Sequence, residues 1–227
     1  MIRKWDDLPE FMKCDEVREY YDILSKRKVS LIFKRVFDVI AASILLLILG
    51  IPMIVISIMI KLDSKGPVFY RQERVTTYGK KFYIHKFRTM VNHADKLGTE
   101  VTVRGDSRIT KVGAKLRSCR LDELPQVLDV ISGNMSFVGT RPEATKYTKR
   151  YSKEMLATFL LPAGITSEAS IMYKDEAELL VDAQNVDEVY VMEVLPKKMK
   201  YNLKSIREFS FINDVKTIIK TVFAVIK

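Results

Sequence analysis

Residues 36–60 read VFDVIAASILLLILGIPMIVISIMI, a run of 25 residues in which Asp38 is the one charged side chain. An apolar run of this length exceeds the roughly 18 to 20 residues that mark a membrane segment. It follows about 35 charge-rich residues and ends without the small-residue pattern of a cleavage site, so a cleaved signal peptide is not expected. The stretch therefore predicts a chain that associates with a membrane.

The flanks and the middle of this run bear on how it enters the bilayer. Lys34 and Arg35 precede it, and Lys61 and Lys65 follow it, so both ends carry the charge that normally stays cytoplasmic. Pro52 lacks a backbone N–H and is expected to break or kink a helix. Each arm would then be about 15 to 21 Å long, against about 30 Å of hydrocarbon. The residues leave two alternatives open, a re-entrant hairpin and a kinked spanning helix.

Three further segments have a recognisable periodicity. Residues 7–30 are typical of a short amphipathic helix that would lie on the membrane or pack on the domain. Residues 67–90 alternate β-forming and polar residues around a Thr-Tyr-Gly turn, which predicts a strand pair. Residues 210–227 predict a basic amphipathic helix with Ser210 as its N-cap, at the membrane interface or in the core.

The charge of the chain indicates the kind of partner it has. A formal net charge of +10 suits an acidic partner, with anionic lipid, nucleic acid and phosphorylated small molecules as the alternatives. The basic residues are interspersed with acids, and no recognised nucleic-acid-binding motif is present. We therefore expect no nucleic-acid partner.

Several basic side chains are candidates for binding phosphate. Because the sequence has no P-loop and no G-x-G-x-x-G, side chains rather than a backbone cradle must hold a phosphate. The planar fork of arginine suits two phosphate oxygens at once, although any one of these residues could equally belong to a solvated basic face. The candidates are Arg71, Lys86, Arg88, Arg117, Arg120 and Arg141.

The stretch CRLDELPQVLDVISG, residues 119–133, contains two adjacent carboxylates, Asp122 and Glu123. Leucines at helical spacing and the final glycine predict one helix whose first turn holds this acid pair. Acidic side chains there complement the helix dipole and often do nothing else. The alternative is chemical, because Arg117, Arg120 and a helix N-terminus are expected to keep a carboxylate anionic through a low pKa. Such a carboxylate could attack phosphorus without a general base.

The chain resembles a known family in the order of its motifs. KRVFDVI, IKLDSKGPVFYRQER, KFRTM, DSRITKVGAKLRSCRLDELPQVLDVISGNMSFVGTRP and GITS are similar to the bacterial sugar transferases known as monotopic phosphoglycosyl transferases. The resemblance covers about residues 34–227. It implies an α+β fold with a re-entrant membrane helix broken at Pro52 over residues 34–62 and a cytoplasmic catalytic domain with amphipathic interfacial helices over 63–227. Residues 1–33 would be an N-terminal amphipathic extension.

The same resemblance implies an activity. An enzyme of this family transfers a phospho-sugar from a UDP-sugar to undecaprenyl phosphate at the cytoplasmic face of the bacterial inner membrane, releasing UMP and starting a lipid-linked glycan. Asp122 matches the nucleophile that forms a covalent phospho-sugar intermediate. Glu123 matches its dyad partner, and the resemblance leaves two roles open for it, positioning or helping to hold the metal. Mg²⁺ is the implied cofactor with Asp122 as a candidate ligand, and Gln126 joins the basic residues as a candidate substrate-binding residue.

Some features stay open at this level. The bilayer with its anionic lipids is an expected partner, and a homodimer is one alternative for the oligomeric state. Ile51 and Thr140 stand where many family members have serine and proline, and the residues after GIT at 164–166 lack the usual glycine and glutamine. The identity of the sugar therefore does not follow from typical members. The main rival function is a membrane-anchored scaffold that binds anionic lipid, for which the acid pair would be dispensable.

Overall fold

The computed structural model describes residues 2–94, 106–174 and 185–226 of the chain. The α-helices of this part are α1 (Asp15–Ser25), α2 (Lys28–Asp63), α3 (Lys111–Ser118), α4 (Gln126–Ile131), α5 (Thr145–Thr148), α6 (Glu168–Met172), α7 (Val186–Val189), α8 (Leu195–Arg207) and α9 (Phe211–Ile226). Strands β1 (Phe69–Val75) and β2 (Lys81–Phe87) pair antiparallel, and β3 (Met135–Val138) and β4 (Ala163–Thr166) pair parallel. This mixture of helices with two small sheets confirms the expected α+β class.

Helix α2 contains the apolar run and has 36 residues, which corresponds to about 54 Å. It is the helix within the described ranges that is long and apolar enough to cross a membrane, by length and composition. The structure continues it through Pro52 as one helix, so the break predicted there is not confirmed. Proline is tolerated inside long apolar helices because neighbouring groups can compensate for the lost hydrogen bond. The re-entrant course stays a prediction.

One face of α2 packs on the rest of the protein along most of its length. The buried side chains on this face recur every three or four residues, apart from the gap that the half-buried Leu46 and Leu49 fill, and they are Lys34, Asp38, Ala42, Met53, Ile56 and Ile60. The opposite face is apolar and exposed, as Leu47, Ile51 and Leu62 illustrate with 83%, 75% and 83% of their surface accessible. This exposed face is the part of the helix that suits a lipid environment.

Helix α9 lies beside α2 and confirms the helix predicted at the end of the chain. The Ser210 hydroxyl accepts a hydrogen bond from the backbone N–H of Asn213 at 3.2 Å, as an N-cap does. Lys34 on α2 forms a buried ion pair with Asp214 on α9, with 2.6 Å between Nζ and Oδ2. Over residues 211–224, the apolar side chains that α9 leaves exposed are Ile212, Ile219, Val222 and Phe223.

Helix α1 packs against the domain. Of the two positions that the sequence left open for this segment, on the membrane or on the domain, the structure shows the second. Met12, Val17, Tyr20 and Leu24 are fully buried in one apolar cluster with side chains from α8 and from the segment Glu154–Leu160. The hydroxyl of Tyr20 also donates to Glu154 Oε1 at 2.5 Å. The segment around α1 therefore contributes to the same core as the helices near the end of the chain.

The predicted strand pair is confirmed as the β1–β2 hairpin, in which Arg71 pairs with His85. Its turn holds Tyr78 in a left-handed conformation, with φ of 58°. Phe82 and Ile84 point inward to a cluster with α4 and β3, as the alternation of a half-buried strand predicts. This register fixes the position of Lys86 near the end of β2.

Two glycines allow β3 and β4 to approach each other closely. A Cβ atom added at Gly164 would lie 2.1 Å from the backbone nitrogen of Gly139, so neither position has room for a larger residue. The carbonyl of Thr140 accepts a hydrogen bond from Gly164 N–H at 2.9 Å. Proline offers the same carbonyl, so this departure from the family pattern leaves the contact intact. This close contact between the ends of the two strands fixes the backbone just before Arg141.

Candidate active site

The acid pair lies in a short 3₁₀ turn between α3 and α4. Arg120 precedes the turn in a left-handed conformation, with φ of 56°, and Pro125 separates it from α4. The single helix predicted over this stretch is therefore wrong in its first turn, because Asp122 and Glu123 lie in a separate 3₁₀ turn and the α-helix begins only at Gln126. The predicted stop is confirmed at Gly133, which has φ of 81°.

Glu123 is held by two cations from other elements. Lys86 on β2 donates to its Oε1 at 2.9 Å, and the guanidinium of Arg141, just after β3, donates to both carboxylate oxygens. Burial on its own would raise the pKa of Glu123, but Arg141 and Lys86 outweigh it and hold that pKa well below its usual range. Glu123 is therefore an anion whose oxygens are already engaged.

Asp122 lies in a different environment from its neighbour. Its residue is 9% exposed. Burial raises the pKa of its carboxyl, Lys86 and Arg117 oppose this, and the charge of Glu123 adds to the rise. The expectation of a lowered pKa is thus wrong, because the sequence shows neither how deeply the group is buried nor that Glu123 takes the nearest cations. A poorly solvated carboxylate is also a more reactive nucleophile.

The other predicted phosphate-binding residues are spread over several contacts. Arg117 acts electrostatically on Asp122, whereas the guanidinium of Arg120 donates to the carbonyl of Lys174 at 3.1 Å. Arg71 donates across the hairpin to the carbonyl of Tyr83 at 3.1 Å. For Arg71 and Arg120 a role in phosphate binding stays a prediction.

Arg88 has a structural role that the sequence did not suggest. It is 4% exposed, and its guanidinium donates to the carbonyls of Lys65 and Ser64 at 2.8 and 2.7 Å, just after the end of α2. Cationic side chains at this position stabilise the unpaired carbonyls at a helix end. Binding of phosphate by Arg88 stays a prediction.

His85 is the side chain that could be mistaken for a catalytic base. Its Nδ1 lies 2.8 Å from Oδ1 of Asp129, and its backbone N–H donates to the other oxygen of that carboxylate at 2.8 Å. Asp129 is buried on α4, so the pair joins the hairpin to the helix that follows the acid pair. Sequence reasoning missed Asp129, whose spacing on α4 is indistinguishable from that of any polar helical residue.

A polar cavity of about 190 Å³ adjoins the two cations that bind Glu123. Lys86 and Arg141 belong to its walls, and Gln126, the predicted substrate-binding residue at the start of α4, lines it as well. Sequence reasoning missed four of its polar residues, Arg74, Glu143, Tyr190 and Lys198. Glu143 stands next to the predicted Arg-Pro dipeptide and could have been found there, whereas Tyr190 and Lys198 lie in a segment without a motif.

The carboxylates near the acid pair limit the kind of metal site that could form there. Within the part of the chain that the structure describes, no three His, Cys, Asp or Glu side chains converge on one point. Mg²⁺ commonly takes only one or two carboxylates and completes its shell with phosphate oxygens and water. Asp122 has a carboxylate for this purpose, while Glu123 is committed to Lys86 and Arg141. Asp122 therefore fits as the protein carboxylate of a Mg²⁺ ion whose other ligands would be phosphate oxygens and water.

Comparison with known proteins gives consistent matches. A family model described as bacterial sugar transferase matches residues 29–227. The UDP-glucose:undecaprenyl-phosphate glucose-1-phosphate transferase of Escherichia coli (strain K12) is 36% identical over 201 residues, covering 86% of this chain and 40% of that protein. The UDP-N-acetylgalactosamine-undecaprenyl-phosphate N-acetylgalactosaminephosphotransferase of Aeromonas hydrophila is 31% identical over 192 residues, covering 83% and 42%.

A shorter relative matches over a smaller part of the chain. The putative undecaprenyl-phosphate N-acetylgalactosaminyl 1-phosphate transferase of Bacillus subtilis (strain 168) is 44% identical over 126 residues, which are 55% of this chain and 70% of that protein. The chain spans less than half the length of the Escherichia coli and Aeromonas relatives. The names of these three relatives differ in the sugar, glucose in one and N-acetylgalactosamine in the other two.

Proposed function

The chain belongs to the bacterial sugar transferase family, as its motifs led us to expect, and from this premise we propose that it transfers a sugar 1-phosphate from a UDP-sugar to undecaprenyl phosphate. The observation that supports this most directly is the pair of carboxylates, buried at Asp122 and half-buried at Glu123, in which Lys86 and Arg141 engage Glu123 and leave Asp122 as the reactive group. An anionic-lipid scaffold would have no use for this arrangement.

The proposed reaction has two displacements at one phosphorus atom. A carboxylate oxygen of Asp122 attacks the phosphorus that carries the sugar, and the bond from that phosphorus to the oxygen bridging the two phosphates breaks. UMP leaves with the bonding electrons, and the sugar phosphate stays on Asp122 as an acyl phosphate. An oxygen of undecaprenyl phosphate then attacks the same phosphorus and releases the carboxylate. The products are UMP and a sugar linked to the lipid through a diphosphate.

The surrounding residues support this chemistry in different ways. Glu123 fixes Lys86 and Arg141 at the site, where both cations can meet the negative charge of the diphosphate. Glu123 is therefore proposed as a positioning residue. When bound, Mg²⁺ would offset charge on the diphosphate and on the departing UMP. Asp122 is its candidate protein ligand.

The geometry of α2 bears on the membrane association of the enzyme. Its buried face runs from Lys34 to Ile60, which is about 39 Å of helix packed on a polar domain. If the helix crossed the bilayer upright, this packing would draw the domain into the hydrocarbon layer, where charged groups are costly. We therefore propose that α2 enters one leaflet only, with both ends at the cytoplasmic face of the inner membrane.

This topology can be tested by cysteine labelling. In a background with Cys14 and Cys119 replaced by serine, Lys28→Cys and Lys65→Cys place one thiol at each end of α2. Both thiols are expected to react with a membrane-impermeant reagent only in inverted vesicles or opened cells. Labelling of one of them from the periplasm of intact cells would contradict the proposal and establish a spanning helix.

Pro52 provides a second arm of the same experiment. Pro52→Leu restores the missing hydrogen bond and removes the steric clash by which proline favours a bend, and residues 36–60 as a straight helix span about 37 Å, which is enough to cross. We expect this variant to show partial labelling of one end from outside. Leu47→Ala is the matched control, because it changes an exposed apolar residue without touching the backbone.

Arg141 tests the cation pair at the site. Arg141→Lys is expected to lower kcat/KM about 10- to 100-fold, because an ammonium cannot reproduce two charge-assisted hydrogen bonds to one carboxylate. Arg150→Lys, which changes an exposed arginine, is the control and is expected to leave the rate unchanged. Turnover of Arg141→Lys at the rate of the control would remove Arg141 from the site.

The activity itself is tested by following UMP. The detergent-solubilised enzyme is incubated with undecaprenyl phosphate, Mg²⁺ and each member of a panel of UDP-sugars. At least one UDP-sugar is expected to give continuous UMP release that depends on the lipid, together with a lipid-linked sugar. Failure to release UMP with every UDP-sugar, while binding to anionic vesicles persists, would favour the scaffold alternative.

A further inference from the structure

We propose that the polar cavity holds the sugar of the nucleotide-sugar donor and that Gln126, Tyr190 and Lys198 recognise its hydroxyl groups. The inference rests on the proposed function, because it assumes that Asp122 attacks the phosphorus that carries the sugar. The group next to that phosphorus must then lie beside the acid pair. Lys86 and Arg141 contact Glu123 and also line the cavity, so the two cations beside the acid pair are also beside the cavity.

Gln126 supplies the first independent observation. The residue is 1% exposed and lines the cavity, and its Nε2 atom has no hydrogen-bond partner among residues 2–94, 106–174 and 185–226. A buried amide without a partner lowers stability, so such groups call for an explanation such as a ligand that accepts their hydrogen bonds. A sugar hydroxyl or a substituent carbonyl is an acceptor of this kind.

The second observation is a buried polar network on the other side of the cavity. The hydroxyl of Tyr190 donates to Glu143 Oε1 at 2.5 Å, and Lys198 Nζ donates to the Tyr190 hydroxyl at 3.0 Å. All three residues are less than a tenth exposed. Their arrangement offers both donors and acceptors to a neighbouring group, which suits hydroxyls because each hydroxyl both donates and accepts.

A local irregularity of the backbone makes this network possible. Residues Tyr190–Val194 form one π-helical turn just before α8. In a regular α-helix, residues eight positions apart, such as Tyr190 and Lys198, would face directions about 80° apart. The wider turn adds a residue and brings both side chains to the same face. Single π turns of this kind are frequent at functional sites.

The cavity suits a sugar better than a uracil ring. A flat base is usually bound by stacking on an aromatic face, but the rings of Tyr147 and Tyr190 pack on each other, with 4.8 Å between their centroids. Apart from these rings, the apolar lining consists of Ile84 and Pro142 within the described residues. The rest of the wall is charged or polar, as a hydroxyl-rich ring requires.

Two variants test the proposal by separating the sugar from the nucleotide. Gln126→Met removes the amide but keeps its length, and Tyr190→Phe removes the hydroxyl but keeps the ring. For each we expect kcat/KM for the UDP-sugar to fall about 10-fold, while inhibition by UMP, which lacks the sugar, changes less than about twofold. Gln126→Met is also expected to fold at least as stably as the wild type, because it removes an unsatisfied buried group.

Asn202→Leu is the matched control. Asn202 is also a buried amide, with an unpartnered Oδ1 within the described part of the chain, but it lines a separate cavity of about 30 Å³. Its kcat/KM is expected to stay at the wild-type value. If UMP inhibition weakens in parallel with kcat/KM in the two test variants, the cavity holds the nucleoside and the proposal is overturned.

Unchanged kcat/KM in both test variants would also overturn the inference, while leaving the proposed function intact. If the wild-type enzyme fails to release UMP with every UDP-sugar of the panel, the proposed function itself is overturned and this inference with it. The two failures are therefore distinguishable by the behaviour of the wild type.

Discussion

Asp122→Asn is expected to abolish sugar phosphate transfer, with UMP release lowered about 10³-fold or more, the scale seen when a covalent nucleophile is removed. An amide is a poor nucleophile and cannot form the acyl phosphate. With a reactive UDP-sugar and Mg²⁺ but no lipid acceptor, the wild-type enzyme is expected to release at most about one UMP per active site. Mass spectrometry should then find a phospho-sugar on the peptide that contains Asp122.

The control for this experiment is Asp22→Asn. Asp22 is an aspartate on α1 whose side chain is 48% accessible and pairs with Arg18 at 3.1 Å, and its loss is expected to leave both signals unchanged. Steady turnover by Asp122→Asn would contradict the mechanism. So would UMP release that depends strictly on lipid with no adduct ever trapped, because that result indicates direct transfer in a ternary complex.

Glu123→Gln should behave differently from Asp122→Asn. Without the charge of Glu123, Lys86 loses its anionic partner, and one of the charges that raise the pKa of Asp122 is gone. The pKa of Asp122 would therefore fall, which makes it a weaker nucleophile. The adduct is therefore expected to form more slowly but still to form. This difference separates the residue that attacks from the residue that positions.

The sequence was informative wherever one local signal decided the structure. The apolar run, the strand pair around Tyr78, the capped helix after Ser210 and the stop at Gly133 each follow from short-range chemistry. The class of helices with small sheets was implied by the family resemblance. The re-entrant course of the helix around Pro52 stays a prediction, since the structure continues α2 through Pro52 as one helix.

The sequence indicated the acid pair and the two cations Lys86 and Arg141, which the structure brings together, but it did not indicate the electrostatics of the site. The motif identified Asp122, Glu123 and Arg141 as neighbours of interest. It gave no sign that Lys86 and Arg141 would both bind Glu123 rather than Asp122, because that depends on how β2 and β3 pack against the 3₁₀ turn. The polar network around Tyr190 could not be predicted from the sequence either, since it depends on the π-helical turn before α8.

The segment before α2 was expected to be an extension, yet its side chains are among the most deeply buried in the described structure. The family match begins at residue 29, after α1 has ended at Ser25. Leu24 is nevertheless fully buried, in a cluster that also contains Leu203 of α8 and Val75 at the end of β1. The boundary of a family match is therefore not the boundary of the folded core.

Leu24→Ala is consequently expected to lower the free energy of unfolding by about 2 to 5 kcal/mol, the range for deleting a fully buried leucine side chain. Val29→Ala, a truncation at a position that is 66% exposed, should cost less than about 0.5 kcal/mol. Denaturant unfolding of the detergent-solubilised enzyme measures both. Equal stability of the two variants would contradict a core role for α1. If Leu24→Ala is strongly destabilised, the hairpin that carries Lys86 depends on residues outside the family match, because Val75 of β1 packs in the same cluster.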